Sequence, residues 1–155
     1  MKTNLENTTV KDISYLINSV CLKAPGRTTL EKLADMLCTS DRYKVYLEND
    51  EGRLEGVIQA KQIAMKVLVL SRQKADEEEM LPAITYALNA QIGKDLAEEA
   101  VTVTGDTRLK TVLELMEQNQ IREIAVVDAD GGLVGTLEAK NILSHYLQAK
   151  AETAF

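Results

Sequence analysis

Apolar residues at Leu109, Val112, Leu113 and Met116 recur at i, i+3, i+4 and i+7, the stripe of an amphipathic helix. Thr104 to Thr107, Asp106 among them, offers polar N-cap candidates just ahead of it. Ile124 to Val127 is almost wholly apolar, which predicts a strand covered on both faces. Asp128 to Gly132 is turn chemistry, with Gly131 and Gly132 able to take positive φ. Leu133 to Leu137 then reads as the return strand, and a second helix opens from Glu138.

The same pattern stands 79 residues earlier without a gap. Leu30, Leu33, Ala34 and Leu37 fall on Leu109, Val112, Leu113 and Met116; Gly52, Leu54 and Gly56 on Gly131, Leu133 and Gly135; Ala60, Lys61 and Ile63 on Ala139, Lys140 and Ile142. An internal repeat of this kind fixes the architecture before any motif does. Lys94, Asp95 and Leu96 also echo Lys11, Asp12 and Ile13, at an offset of 83, so the first repeat carries a few extra residues before its helix.

Around these units the pattern predicts a loose polar start over residues 1–9 and a helix from about Val10, capped by Thr8 or Thr9, with Val10, Ile13, Leu16 and Ile17 on one face. Val20 to Lys23 reads as a short strand broken by Ala24, Pro25 and Gly26, with Thr28 or Thr29 capping the helix that follows. Tyr43, Val45 and Leu47 alternate with Arg42, Lys44 and Tyr46, so this strand is expected to be more one-sided than its counterpart. A long helix runs from Ala60, and the charged run Lys74 to Glu79 is a solvated end or connector. Pro82 suits the first turn of a new helix, with Ile84, Ala87, Leu88 and Ile92 as its buried face. Val101 to Thr104 reads as a short strand. The last helix, from about Ala139 to Lys150, presents Ile142, Leu143, Tyr146 and Leu147 as its apolar face. The fold class is α/β (α+β), divided into residues 1–91, residues 92–150 and a fraying tail, 151–155.

Composition narrows the function. The 155 residues are 45% hydrophobic but only 4% aromatic, which predicts an aliphatic core. A net charge of −6 argues against a nucleic-acid surface, which needs clustered Lys and Arg. No apolar run of 18 residues predicts a membrane helix, and the N-terminus lacks the signature of a secretory signal. Two cysteines, Cys21 and Cys38, make no disulfide framework, so the expected setting is the cytoplasm, with Cys38 a small buried hydrophobe.

Two β-α-β-β-α copies with a Lys-Asp-Ile/Leu lead-in resemble a tandem pair of cystathionine-β-synthase (CBS) domains, the Bateman module. The likeness is strongest in KDLAEEAVTV, VTVTGDTRLKTVLELM and IAVVDADGGLVGTLEAKNIL, and weaker from Lys11 to Val67. It implies two copies packed with pseudo-twofold symmetry, and clefts between them that take AMP, ADP, ATP or S-adenosylmethionine. It also implies a ribose-binding motif after the return strand: Gly, two residues, Thr/Ser, two residues, Asp/Asn. A hydroxyl and a short acceptor three residues apart share one side of a helix start and grip a 1,2-diol. The amides of that helix start favour phosphate.

This chain departs from that motif. After Gly135 stand Glu138 and Asn141, with Glu138 in place of the hydroxyl; after Gly56 stand Gln59 and Gln62, replacing both polar residues. Glu138 brings a negative charge to the approach of an anionic ligand; Lys61 and Lys140, at the repeated position beside the helix start, are the phosphate-binding candidates set against it, with exposed helix lysines as the alternative reading. Glu138, Lys140, Asn141, Gln59, Lys61 and Gln62 are the candidate ligand-binding residues, with Thr28, Thr104 and Thr107 from the loops before the first helices. As helix caps, those threonines already have a structural role.

His145 has no partners at zinc spacing and reads as a helix-surface residue. Tyr43 and Tyr46 read as strand packing, and Met36, Met65 and Met116 as core. There is no Walker loop, nucleophile elbow or metal-ligand spacing, so no catalytic or metal site is assigned. The reading is a non-catalytic regulatory module, with no cofactor beyond an adenine nucleotide or S-adenosylmethionine as ligand, acting as a homodimer or on a regulated protein partner. The alternative is a ligand-free dimerisation module with degenerated nucleotide sites.

Overall fold

The 79-residue repeat is written into the backbone turn by turn. In the computed structural model, which describes residues 5–73 and 76–153, Gly52 and Gly131 hold φ of +77° and +86°. Asn49 Oδ1 accepts from the amides of Glu51 and Arg53 (2.9 and 3.0 Å), as Asp128 Oδ1 does from those of Asp130 and Gly132 (2.9 Å each). A short polar side chain bonding to backbone just downstream locks this kind of turn. Of the two expected glycines, only Gly131 has positive φ; Gly132 is held by the hydrogen bond its N–H donates to Asp128 Oδ1.

Each turn joins an antiparallel pair: Lys44–Glu48 (β2) with Leu54–Gln59 (β3), and Glu123–Val127 (β5) with Leu133–Glu138 (β6). Lys44 stands opposite Gln59 and Glu123 opposite Glu138, and the registers slip at the equivalent steps Leu47/Glu48 and Val126/Val127. A parallel strand completes each three-stranded sheet: Lys23–Pro25 (β1) on β2 and Thr102–Val103 (β4) on β5. The first of these overlaps the expected Val20 to Lys23 only at Lys23 and runs on past it. Pro25, read as a breaker, is inside it, because an edge strand tolerates a missing donor.

The helices are Leu30–Cys38 (α1), Ala60–Gln73 (α2), Glu77–Ala90 (α3), Gly93–Leu96 (α4), Leu109–Asn119 (α5) and Ala139–Thr153 (α6). The helix expected from Val10 is a 3₁₀ segment, Lys11–Leu16, interrupted at Ile13. The chain forms two compact units. In residues 21–100, Leu30, Leu33 and Leu37 of α1 pack with Val45, Leu47, Ile58 and Ile63. In residues 1–20 with 101–155, Leu109, Val112 and Met116 of α5 pack with Ile124, Val126, Leu137 and Ile142, and with Val10 and Ile13 from the chain start.

The compact units therefore do not divide at 91/92, where the sequence repeats do. Each lead-in fastens to the loop before the other repeat's first helix. Val10 and Lys11 donate to the carbonyls of Thr107 and Gly105 (2.9 and 2.8 Å); Gly93 and Lys94 donate to those of Thr28 and Gly26 (2.7 and 3.0 Å). In both lead-ins an aspartate accepts from the amide three residues back: Asp12 from Thr9 (3.0 Å) and Asp95 from Ile92 (3.2 Å).

Several local expectations are corrected. Tyr46 is buried between Val45 and Leu47, so β2 is covered on both faces like β5. The start of the chain is not loose from Leu5 onward: the carbonyls of Leu5 and Thr8 accept from Lys110 and Leu109, the first amides of α5. Arg108, with no capping side-chain bond, is the N-cap of α5, whereas Thr29 caps α1 as expected. Pro82 lies inside α3, which begins earlier at the cap Asp76, and Ile84, Ala87, Leu88 and Ile92 are only half-buried. Leu143, Tyr146 and Leu147 are exposed on α6, where Ile142, His145 and Ala149 face inward. Met65 is exposed too, and so is Cys38, at the last position of α1. Lys74, Ala75 and the last residues of the tail lie outside the described residues.

Candidate functional site

The steps from β3 into α2 and from β6 into α6 carry the motif positions, and both fold locally in the same way. The register that sets Gln59 opposite Lys44 and Glu138 opposite Glu123 brings the next amides back to the neighbouring strand: Ala60 donates to Tyr43 O (2.7 Å) and Ala139 to Arg122 O (2.9 Å). The preceding amides are capped from within the helix. Gln62 Oε1 accepts from Gln59 N (2.7 Å), and Asn141 Oδ1 from Glu138 N (2.9 Å). Two amides that a helix start would otherwise offer to an anion are thus engaged in each step.

The two steps then differ. Gln62, one methylene longer, also donates from Nε2 to the carbonyl of Leu96 (2.9 Å). Asn141 Nδ2 donates to no described residue. Lys140 Nζ lies 3.4 Å from Glu138 Oε2, with side-chain exposures of 78% and 31%, so the carboxylate is half-covered and partly neutralised. An ion pair this exposed adds little stability, leaving both groups available to a ligand. Lys61 and Gln59 are exposed. The chemistry available at Glu138–Asn141 is a carboxylate acceptor and an amide donor on one side of a helix start, suited to the hydroxyls of a sugar.

Of the expected threonines, Thr107 Oγ1 accepts from Thr104 N (3.0 Å) and lies 3.5 Å from Thr104 Oγ1, which closes the loop on itself rather than capping α5. Thr28 acts through its backbone, receiving Gly93 and donating to Pro25 O (3.0 Å). The candidates thus form local groups: Glu138 with Lys140 and Asn141, Gln59 with Gln62, and Thr104 with Thr107.

His145, expected at the surface, is buried at 8% exposure, its Nδ1 2.9 Å from Tyr15 Oη. The α6 face that carries it turns toward the Lys11–Leu16 segment, a placement the helix pattern alone does not reveal. Sequence reading also missed a depression of 310 Å³ in the residues 21–100 unit, lined by Lys23, Arg27, Glu48 and Asp50 among others. Its charges are matched in pairs, Lys23 with Glu48 (3.8 Å) and Arg27 with Asp50 (2.5 Å). Among the described residues, no three His, Cys, Asp or Glu side chains gather to hold a metal ion, no disulfide forms, and no helix is long and apolar enough to cross a membrane.

The protein-family model of the CBS domain matches residues 93–148. The Arabidopsis thaliana protein described as "CBS domain-containing protein CBSX2, chloroplastic" is 31% identical over 75 residues, 48% of this chain. That match spans about a third of the relative's length (32%). Among solved structures, CBS-pair protein CBSX2 from Arabidopsis thaliana aligns with a TM-score of 0.68 at 21% identity, covering 92% of this chain and 96% of that one. The fold is that of a CBS pair. CBSX2 in complex with AMP aligns at a TM-score of 0.65 and 22% identity over 93% and 99% of the two chains. The cytosolic domain of the Mg2+ channel MgtE in complex with ATP aligns at 0.61 and 20% identity, over 83% of this chain and 46% of that one. The family-model match covers the second repeat, with its lead-in, where KDL, the turn and the GTLEAKN step stand. The diverged first repeat is brought in by backbone geometry.

Proposed function

We propose that this CBS pair is a non-catalytic regulatory module that binds an adenosine-containing ligand, of the AMP, ADP, ATP or S-adenosylmethionine type, through its ribose. The observation that carries the reading is the Glu138–Asn141 step. The bond from Glu138 N fixes the Asn141 amide so that Nδ2 remains a donor, while the Glu138 carboxylate, three residues back, accepts hydroxyl protons. Lys140 supplies the compensating charge, and Thr104 and Thr107 offer hydroxyls in the loop before α5. The solved relatives described with AMP and with ATP support the class of ligand.

Binding becomes regulation only if the ligand has different affinities for two arrangements of the chain or of its assembly. A second copy of this chain is the reporter we propose. On α6, Leu143, Tyr146 and Leu147 are 57%, 55% and 54% exposed at i, i+3 and i+4, an apolar stripe with no use in its own unit. The same stripe favours the second reading, a dimerisation module without a ligand.

Thermal shift against AMP, ADP, ATP and S-adenosylmethionine, beside sedimentation of the same samples, separates the two. A bound ligand raises the melting temperature by mass action. A dimer with no shift across the panel selects the second reading.

A further inference from the structure

We infer that a second copy of this chain seats on the first-repeat helices α2 and α3, with α2 of each copy against α3 of the other. This rests on the second-copy reading above and adds a face to it. Part of that face is α3, a helix with no counterpart in the other repeat among the described residues.

Charge is sorted between the two helices. α2 carries Lys61, Lys66 and Arg72 and no acidic residue; α3 opens on Glu77, Glu78 and Glu79 and carries no basic one. The helices belong to one unit and pack on each other, yet among the described residues none of these charges is ion-paired. Helix dipoles account for part of the pattern, favouring acid in the first turn of α3 and Arg72 in the last turn of α2. They do not account for Lys61, in the first turn of α2, where the dipole opposes a cation. Its repeat equivalent Lys140 is paired with Glu138, whereas Lys61 has the neutral Gln59 in that place.

The same outer sides are apolar. On α2, the exposed Lys61, Met65, Leu68 and Arg72 recur at i, i+4, i+7 and i+11, one stripe with a cation at each end and Val69 beside it. On α3, the exposed Glu78, Leu81, Pro82 and Tyr86 stand at i, i+3, i+4 and i+8. Met65, Leu68, Val69, Leu81 and Tyr86 are between 39% and 77% exposed, and α3 has no fully buried residue. Such a face complements itself only when crossed. Stacking α2 on its own copy sets cation on cation, and α3 on α3 sets acid on acid. Stacking α2 on the other copy's α3 sets cations against acids and covers apolar side chains on both. A twofold axis that makes this contact once makes it twice. The α6 stripe has no such sorting, since Lys140, Lys150 and Glu152 share that helix.

The test is sedimentation velocity of the full chain at low and high salt. The wild type is expected to self-associate, and about tenfold more weakly at high salt, because the matched charges lie at the surface. K61E/R72E and E77K/E78K are each expected to lose association by about tenfold or more. An equimolar mixture of the two is expected to regain it, since each then meets the opposite sign. L81S/Y86S, which leaves every charge in place, is expected to lose association at either salt. Like-on-like pairing strengthens as salt rises, and that result overturns the inference. So does a folded charge variant that associates as the wild type does, or a mixture that stays apart. Should a charge variant fail to fold, association that rises with salt, or that is unchanged in L81S/Y86S, still overturns it. Association lost in L143S/Y146S on α6 but intact in the α2 and α3 variants overturns the inference and leaves the second-copy reading standing. A wild type that stays monomeric at both salts overturns the two together.

Discussion

Tyr15 Oη and His145 Nδ1 are 2.9 Å apart, tying the lead-in of the first repeat to the final helix. Among the described residues the tie exists in one repeat only. Lys11 and Lys94 are offset by 83, but Asn18 and Glu98, which bridge to Thr136 and Val57, are offset by 80. The extra residues of the first copy therefore fall between Ile13 and Asn18, and Tyr15 is among them. His145 is buried at 8% exposure and needs this partner. Tyr15→Phe is expected to lower stability by about 1 kcal/mol, the usual net worth of one hydrogen bond. His145→Ala, which also leaves a void, is expected to cost about 2 kcal/mol. Urea unfolding of the two variants checks the order.

Gly135 and Gly56 are repeat equivalents under unequal pressure. A Cβ on Gly135 would lie 2.5 Å from Asn18 O and 2.7 Å from Ile17 Cγ2; on Gly56 it would lie 3.1 Å from Glu98 O and 3.2 Å from Ala97 Cβ. Asn18 cannot retreat cheaply, because its amide and carbonyl both pair with Thr136, at 2.8 and 2.9 Å. Gly135→Ala is expected to cost about 3 kcal/mol and Gly56→Ala about 1 kcal/mol, the span usual for overpacking. Equal midpoints in denaturant would contradict the difference.

The repeat, the strand–turn–strand units and the glycines of the turns were legible in the residues, because helix and strand periods and turn chemistry are local properties. The exchange of lead-ins was not. Nothing in KDI or KDL says which repeat's loop will receive its amides, since the two loops differ little in pattern. The inward turn of His145 and the outward turn of Leu143, Tyr146 and Leu147 were hidden for a related reason: the last helix is apolar on more than one side, and periodicity cannot say which side meets the sheet. At the candidate site, Asn141 was visible as a match to a motif and Glu138 as a departure from it. The engagement of Gln62 with Leu96 was not, because it depends on where a chain segment 34 residues away comes to rest.

Thr29 and Arg108 occupy the same N-cap with nearly the same backbone, φ/ψ of −66°/154° and −76°/147°. Thr29 Oγ1 accepts from Lys32 N at 3.2 Å, whereas Arg108 makes no capping bond. The backbone at Arg108 is therefore already arranged for a cap its side chain cannot provide. Thr29→Ala is expected to lose about 1 kcal/mol, and Arg108→Thr to gain about 0.5 kcal/mol by reaching the amide of Thr111. Melting temperatures moving in opposite directions for the two variants are the signature to look for.

On the proposed reading, Glu138 is expected to set which adenosine ligand suits the step. Its carboxylate favours sugar hydroxyls but opposes phosphate, and Lys140 at 3.4 Å, 78% exposed, screens it only in part. Each further phosphate adds negative charge facing that carboxylate, so ATP suffers more than AMP, and S-adenosylmethionine, with its sulfonium, not at all. Glu138→Gln keeps the shape and removes the charge. It is expected to narrow the preference for AMP over ATP by roughly a few-fold, and to weaken S-adenosylmethionine, which loses both a hydroxyl acceptor and a favourable charge. The gap between AMP and ATP in the wild type should also shrink as salt rises, because the repulsion acts through solvent-exposed groups. Competitive titrations at two ionic strengths measure both effects; an unchanged AMP-to-ATP ratio in Glu138→Gln would remove Glu138 from the ligand's surroundings.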